Sequence, residues 1–554
     1  MSQENLAVLL RDQADRLASR PALRYRRYGL YHDFSWLRYR QEVVAAAAAL
    51  VDVGVNPGDR VGLLAENSVD WLIADMAILT AGAVHVGPHA PLTARQVHYQ
   101  LADAEVCWLF VSGVGQLDKI RAIRRELPQL RGVVVFDSKA AGPDALAWEA
   151  FRQRGRSLLP QLAGEIARRE ETLGRDDLAT IMYTSGTTGN PKGVMLTHGN
   201  LVSNALGCIA ACPYPPDSVI LSWLPYSHIY ARTVDHYTSL AAGITLALAE
   251  SADTLVENLA EIQPTHMASV PRFYEKLLAA VASPNPEETG KRLRRIFGSR
   301  LNWISSGGAP LPVPIAEAFN AAGIRLLQGY GLTESSPVIS FNTPTHHKIG
   351  TVGRPLPGVE VRIAEDGEVL TRGPHVMKGY WKNPEATAEA IRDGWLHTGD
   401  LGSLDADGYL TITGRKKELL VLSNGKKVVP SYLEGLLVAD GCIEQAVVYG
   451  EGRNFLTALL VPHWPNVLAA LAAEGTHLTG QPEELAQHPA VSALLERRIQ
   501  QALADLSHTE QIKKFIILPH PFSVEREELT VSLKLRRNVV FQHYGSSLDA
   551  LYRE

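Results

Sequence analysis

From about residue 40 to 330, apolar runs of strand length alternate with stretches of helical period, and no other feature of the chain constrains its fold as strongly. "RVGLL" precedes a predicted helix near 69–81, "AVHVG" one near 93–103 and "CWLFV" one near 115–127, with "GVVVFD" following. A second series reads "SVILSWL", "GITLALA", "THMASV", "RLNWISSG" and "GIRLLQGYG", again with helical segments between. Strands apolar on both faces and separated by helices pack as parallel sheets with right-handed crossovers, helices covering both faces. Such sheets present ligands at the carboxyl ends of their strands. "IMYTSGTTG" and "IRLLQGYGLTES" each read as a strand running into a polar turn, so a site belongs there.

After about residue 345 the texture changes. "GTVGRPLPGVEVRIAEDGEVLTRGPHVMKGYW" is rich in Gly and Pro with short alternating runs, which predicts a small antiparallel or barrel-like unit. Past "GRKKE" at 414–418 short strands mix with helices, as in "KELLVLSNGKKVVP", "EQAVVYG", "LTALLVP" and "KKFIIL". The expected class is α/β: a large N-terminal body of doubly wound sheets with a small barrel-like unit, plus a smaller α+β C-terminal domain. The expected boundaries are 1–413, a connection at 414–418, and 419–554.

At 554 residues the chain exceeds one ordinary core, so two or more domains are expected. Its 46% hydrophobic and 20% charged fractions are those of a soluble globular protein. A net charge of −5 without a long basic block argues against a nucleic-acid partner. Cys208 and Cys212 invite a metal reading, but no Cys/His pair follows at zinc spacing, and two buried helix residues are expected instead. The N-terminal stretch has no apolar core followed by small residues, so it is not read as a secretory signal. "VVAAAAALVDV" is about half a membrane span. A cytoplasmic protein is expected, with peripheral membrane contact left open.

The chemistry starts at "TIMYTSGTTGNPKGVMLTH", residues 180–198. Thr184, Ser185, Thr187 and Thr188 supply hydroxyls, and Gly186, Gly189 and Gly193 let backbone N–H groups approach an anion. Lys192 adds a point charge suited to phosphate. This is not the phosphate loop of nucleotide hydrolases. That pattern, begun at Gly186, needs Gly where Pro191 sits and Ser or Thr where Gly193 sits.

The loop resembles the signature of the adenylate-forming superfamily, and six further stretches resemble that superfamily's motifs in order. They are "LPYSHIYAR" at 224–232, "SSGGAPLP" at 305–312, "QGYGLTESS" at 328–336, "DGWLHTGDLG" at 393–402, "GRKKELLVLSNGKKVVP" at 414–430 and "LTVSLKLRR" at 529–537. The resemblance implies that the loop holds the β and γ phosphates of ATP while a carboxylate attacks the α phosphorus, giving acyl-AMP and pyrophosphate. It implies nucleotide contacts from Gln328, Gly329, Tyr330, Gly331 and Thr333, with Tyr330 against adenine. Glu334 is implied as the Mg²⁺ carboxylate beside the Thr184 hydroxyl, a sufficient set because Mg²⁺ keeps waters and phosphate oxygens. Gly307, Gly308 and Ala309 are implied as a thin wall beside adenine and the acyl group. Asp400 is implied for the ribose hydroxyls, with Arg415 reaching ribose or phosphate. His228 is implied at the mouth of the acyl site, and Lys534 as the catalytic cation of the small domain. A carboxylate substrate is already ionised, so no general base is proposed. Two reactions near one phosphate imply a small domain that rotates, with Lys417 at the hinge.

Within the superfamily, "DGWLHTGDLGSLDADGYLTITGRKKE" and "SVPRFYEKL" resemble fatty acyl-CoA synthetases, long-chain ones in particular. "SNGKKVVP" resembles the loop that contacts CoA in that branch, through Gly425 and Lys426. The implied acyl tunnel is lined from 228–240, 305–309 and 329–338. Two departures stand out: "LTVSLK" lacks the Pro usual before the last Lys, and "GAVHVGPHAPLT" at 82–93 differs from the family's wording. The expected reaction is ATP- and Mg²⁺-dependent joining of a medium- to long-chain fatty acid to CoA. Two alternatives stand beside it: loading of a carrier protein or another acceptor, and a catalytically silent nucleotide-binding protein.

Overall fold

The structure is a computed structural model that describes residues 5–184, 190–283, 285–530 and 535–553. By contacts the chain divides into two compact units. The first holds residues up to Arg362 with Leu370–Thr398 and Asp405–Leu410; the second holds Ile363–Val369, Gly399–Leu404 and the chain from Thr411 onward. The division thus falls within the Gly- and Pro-rich stretch and its neighbouring strands rather than at one residue.

Among the described residues, two large sheets make up most of the first unit. One has eight strands, among them Arg60–Leu64, Val84–Val86, Trp108–Val111 and Gly132–Val135 from the first alternating series. The other has nine, among them Val219–Ser222, Thr245–Leu248, His266–Ser269, Trp303–Ser306 and Leu326–Gly331 from the second. These inner strands pair in parallel and, except for the half-buried end of Leu326–Gly331, are almost wholly buried, so both faces read as apolar. The helices between them follow the predicted periods: Val69–Thr80, Ala94–Asp103 and Val114–Ile123. Val69–Thr80 is buried nearly all round, as its lack of a polar face requires, and Ser68 caps it by accepting from the Trp71 amide.

Antiparallel strands finish both sheets. Leu178–Thr184, the strand expected before the polar stretch, pairs antiparallel with Lys192–Thr197 after it. The stretch expected as a small antiparallel or barrel-like unit lends its ends to the large sheets: Arg354–Pro355 edges the nine-stranded sheet and Gly379–Tyr380 the eight-stranded one. Short strands between 360 and 415 form a separate five-stranded sheet. Cys208 is buried inside the helix His198–Ala211, and Cys212, its C-cap, is buried too.

The second unit is α+β. Ile443–Tyr449 and Leu456–Pro462 pair antiparallel, and Ile512–Ile517 adds in parallel. Helices Pro430–Val438 and Pro489–Ala502 cover a core that includes Leu433, Leu437, Leu460 and Leu495. Among the described residues no helix is long and apolar enough to cross a membrane.

Candidate active site

The 180–198 hairpin brings Thr184 directly opposite Lys192. Its base is fastened from outside. Tyr99 donates its hydroxyl to the Pro191 carbonyl at 3.1 Å, and the Trp381 amide donates to the Gly193 carbonyl at 2.7 Å. A Cβ at Gly193 would lie 2.8 Å from Ile181 and 3.2 Å from Trp381, so only Gly fits between them. Ser185, Gly186, Thr187, Thr188 and Gly189 lie outside the described residues.

From this hairpin a chain of contacts runs to the expected metal carboxylate. The Lys192 ammonium sits over the Tyr380 ring, 5.0 Å from its centre, and the Tyr380 hydroxyl donates to Glu334 Oε1 at 2.9 Å. The Glu334 carbonyl accepts from the Met377 amide at 2.8 Å, so the stretch 377–380 holds this residue through both its backbone and its side chain. Burial and the neighbouring carboxylate push the Tyr380 phenol well above its usual range, so it stays a donor. Among the described residues no side chain or amide donates to Glu334 Oε2. One free oxygen on a positioned carboxylate, beside an ammonium and the Thr184 strand end, is a donor set that fits Mg²⁺.

Glu334 is placed by what precedes it. The strand Leu326–Gly331 carries Gln328, Gly329 and Tyr330 to its end, and the short 3₁₀ turn Thr333–Ser335 follows. A Cβ at Gly331 would lie 1.8 Å from the Pro337 carbonyl oxygen, so the backbone can double back only with Gly here. On the neighbouring strand, Trp303–Ser306, the chain leaves through Gly307, Gly308 and Ala309. A Cβ at Gly307 would touch the Tyr230 ring at 3.0 Å, and Gly308 holds φ +79, the left-handed region Gly favours. The wall is thin because Tyr230 stands behind it.

His228 caps the helical segment that carries Tyr230, its Nδ1 accepting from the Tyr230 amide at 3.2 Å. Its ring stacks on His89, centroids 6.3 Å apart and 20° from parallel. His89 Nδ1 meets Ser227 Oγ at 2.6 Å, and burial lowers its pKa to about 4, so it is neutral near neutral pH. His89 sits in "GPHAPL", where the sequence departs from the family wording; that departure was the one available signal for it. Tyr380 had none, because its role depends on a strand pairing far from the motifs.

In the second unit Arg415 Nε pairs with Asp400 Oδ1 at 2.9 Å, with Asp400 almost fully buried and Arg415 half-exposed. The two residues expected to share a ribose therefore do meet. The neighbouring Lys416 is held by Asp366 and Glu368, whereas Lys417 is exposed on the 3₁₀ turn Lys416–Glu418. Gly425, at φ +81, turns an exposed hairpin between Leu420–Val421 and Lys427–Val428. Lys426 stands exposed on it, its Nζ 3.3 Å from Thr509 Oγ1. Lys534 lies outside the described residues.

Sheets that carry a phosphate-type hairpin, a positioned carboxylate and a glycine wall at their strand ends belong to a nucleotide-activating class of enzyme. The family model for AMP-binding enzymes matches residues 10–381 and that for the AMP-binding enzyme C-terminal domain matches 417–554, so the chain belongs to the AMP-binding enzyme family. Among curated proteins it is 35% identical to the long-chain-fatty-acid–CoA ligase FadD15 of Mycobacterium bovis, over 95% of this chain and 93% of that one. It is 28% identical to the long-chain-fatty-acid–CoA ligase heimdall of Drosophila melanogaster, over 99% and 95%. Among solved structures, the adenylation domain of a carboxylate reductase from Mycobacterium chelonae superposes with a TM-score of 0.78 at 26% identity, covering 99% of this chain and 91% of that one. The anthranilate CoA ligase AuaEII with anthranoyl-AMP shares the fold at TM-score 0.79 and 20% identity, over 99% of each chain.

Proposed function

We propose that this protein activates a long-chain carboxylic acid with ATP, forming acyl-AMP and pyrophosphate, and then transfers the acyl group to CoA with release of AMP. The observation that carries the reading is the near full-length match to a long-chain-fatty-acid–CoA ligase at 35% identity. The chain Lys192–Tyr380–Glu334 supports it, because it sets one cation and one carboxylate at the hairpin where the β and γ phosphates are expected.

In this reading Lys192 and the loop 185–189 hold the leaving phosphates, and the Asp400 carboxylate takes the ribose hydroxyls beside Arg415. Glu334 and the Thr184 hydroxyl would hold Mg²⁺, whose charge neutralises the phosphates. The substrate carboxylate attacks the α phosphorus; the P–O bond to pyrophosphate breaks, and the electron pair leaves with pyrophosphate. Lys534 stabilises this transition state, in which two anions meet, more than the ground state. The thiolate of CoA then attacks the acyl carbon, and AMP departs with the electron pair of the broken C–O bond. Lys417 serves as the hinge residue through which the C-terminal domain turns between the two steps, and Gly425 with Lys426 offer CoA an exposed basic turn.

The test is a panel of carboxylic acids from acetate to long chains, scored for pyrophosphate release and for CoA thioester. CoA-dependent thioester with the longer acids is expected. Pyrophosphate release without any CoA thioester would instead favour transfer to a carrier protein. Lys534→Ala should cost the first step on the order of 10²–10³-fold, while synthetic acyl-AMP and CoA still yield thioester. Equal loss of both steps in a folded variant removes Lys534 from this role.

A further inference from the structure

Glu368 opens the strand Glu368–Arg372, which lies beside the longer strand Trp395–Leu404 in the five-stranded sheet. Its side chain is buried, at 6% exposure, and each carboxylate oxygen has a donor of its own. Oε1 accepts from the Gly399 amide at 2.9 Å, and Oε2 accepts from the Lys416 ammonium at 3.0 Å. Gly399 immediately precedes Asp400, and Lys416 immediately follows Arg415. One carboxylate therefore fastens both chain segments that carry the Asp400–Arg415 pair, each at the residue next to it. All five residues belong to the second compact unit.

Both fastened points are places where the chain turns. Gly399 holds φ +71 in the middle of its strand, so the backbone changes direction just before Asp400. Lys416 opens the 3₁₀ turn Lys416–Glu418, just after Arg415 closes the strand Leu410–Arg415. Asp366 takes the same ammonium at 2.5 Å, and its Oδ1 accepts from the Glu368 amide at 3.2 Å. Asp366 and then Glu368 raise the Lys416 pKa, so this cation stays charged. A buried carboxylate is costly unless it is paired and hydrogen-bonded, and apolar side chains join strands at least as firmly as a buried ion pair does. What the ion pair adds is direction: the Glu368 carboxylate fixes where a backbone amide and an ammonium must lie. Both positions pass directly to Asp400 and Arg415.

We propose that Glu368, through Gly399 and Lys416, is a positioning residue for the nucleotide: it holds Asp400 and Arg415 in the arrangement that grips the ribose hydroxyls. The inference rests on the ribose role given to Asp400 above and names the residue that stands behind it. Glu368 acts through its neighbours, and it makes or breaks no bond.

The experiment compares kcat/KM of acid-dependent pyrophosphate release for ATP and for 2′,3′-dideoxy-ATP, which lacks both ribose hydroxyls. Wild type should favour ATP by roughly 10–100-fold, the range for a hydrogen bond to a charged group. Asp400→Asn, the reference, should lose most of that preference. Glu368→Gln keeps the shape and the acceptor for Gly399 but turns an amide donor towards the Lys416 ammonium. Its preference should fall several-fold, through ATP alone, with KM for the fatty acid unmoved. Lys416→Met should lower the preference too, and Lys416→Arg, which keeps the cation, should retain it. The Lys416 side chain is 42% exposed, so these two variants test the link even where Glu368→Gln fails to fold. An equal loss on both nucleotides would mark a merely structural role and overturn the proposal. So would Glu368→Gln or Lys416→Met discriminating as wild type does while Asp400→Asn does not. A wild type without preference would overturn the ribose role of Asp400, and this proposal with it. Absence of acid-dependent pyrophosphate release altogether would overturn the function itself.

Discussion

At the scale of the residue, one phenol connects the two ends of the expected phosphate site. Tyr380 donates to Glu334 and lies under Lys192, so it orients a carboxylate and an ammonium with one side chain. Tyr380→Phe keeps the ring and removes the hydrogen bond. A hydrogen bond to a charged group contributes roughly 1.5–3 kcal/mol, and only part of that acts on metal binding. The expected outcome is a several-fold rise in the Mg²⁺ concentration that half-saturates pyrophosphate release. Glu334→Gln removes the charge itself and should raise that concentration further and slow release on the order of 10²-fold. Titration of pyrophosphate release against Mg²⁺ measures both; curves that overlay the wild type would place the metal elsewhere. Glu334 was legible in the sequence because it stands in a contiguous motif. Tyr380 was not, because strand Gly379–Tyr380 reaches Glu334 only by pairing with Lys192–Thr197.

At the scale of the element, the alanine run, too short for a membrane span, lets two helices pack closely. It lies in the helix Trp36–Asp52, which packs along the helix Trp148–Thr172. A Cβ on Gly155 would lie 1.8 Å from the Ala45 carbonyl oxygen and 3.1 Å from the Ala49 amide nitrogen. Small residues on one helix and Gly on the other allow backbones this close. Gly155→Ala gains about 1 kcal/mol of helix propensity, but it forces a side chain into backbone that cannot rotate away. Overpacking of this kind typically costs ~1–3 kcal/mol, so a lower urea midpoint is expected. Gly164, on the same helix with open space around it, is the control: Gly164→Ala should raise the midpoint. A rise for both variants would mean that the two helices can part.

At the scale of the whole molecule, histidine burial sets how the fold meets acid. His85, His198, His236, His266 and His375 are buried, and their pKa values are lowered to about 4. Desolvation is the first cause in each, with the Arg232 charge adding to it at His85 and His236 and the Asp75 carboxylate opposing it. The unfolded chain takes up protons near 6.5 that the folded chain refuses until about 4. Stability from these groups is therefore complete above pH 6.5 and is lost as pH falls from 6.5 towards 4. Thermal midpoints measured from pH 7.5 to 5 should be level at the upper end and then drop, before carboxylates titrate. A midpoint that stays level to pH 5 would show that the histidines accept protons in the folded protein.

What the sequence by itself determined follows from patterns that are local. Strand-length apolar runs and helical periods are set by neighbours a few residues apart, so both sheets and the helices between them were legible before any coordinates. Lys192, Gly307, Glu334 and Asp400 each sit in a short motif, and the roles expected of the last three came from the resemblance those motifs carry. Asp400 and Arg415 lie fifteen positions apart and still form their pair. Only the tertiary structure decided which distant residues share a place. The pairing of Leu178–Thr184 with Lys192–Thr197, the placing of 379–380 at the sheet edge and the His89–His228 stack all arise from strand pairing and burial. Those depend on which faces meet across hundreds of residues, and no local pattern encodes that choice.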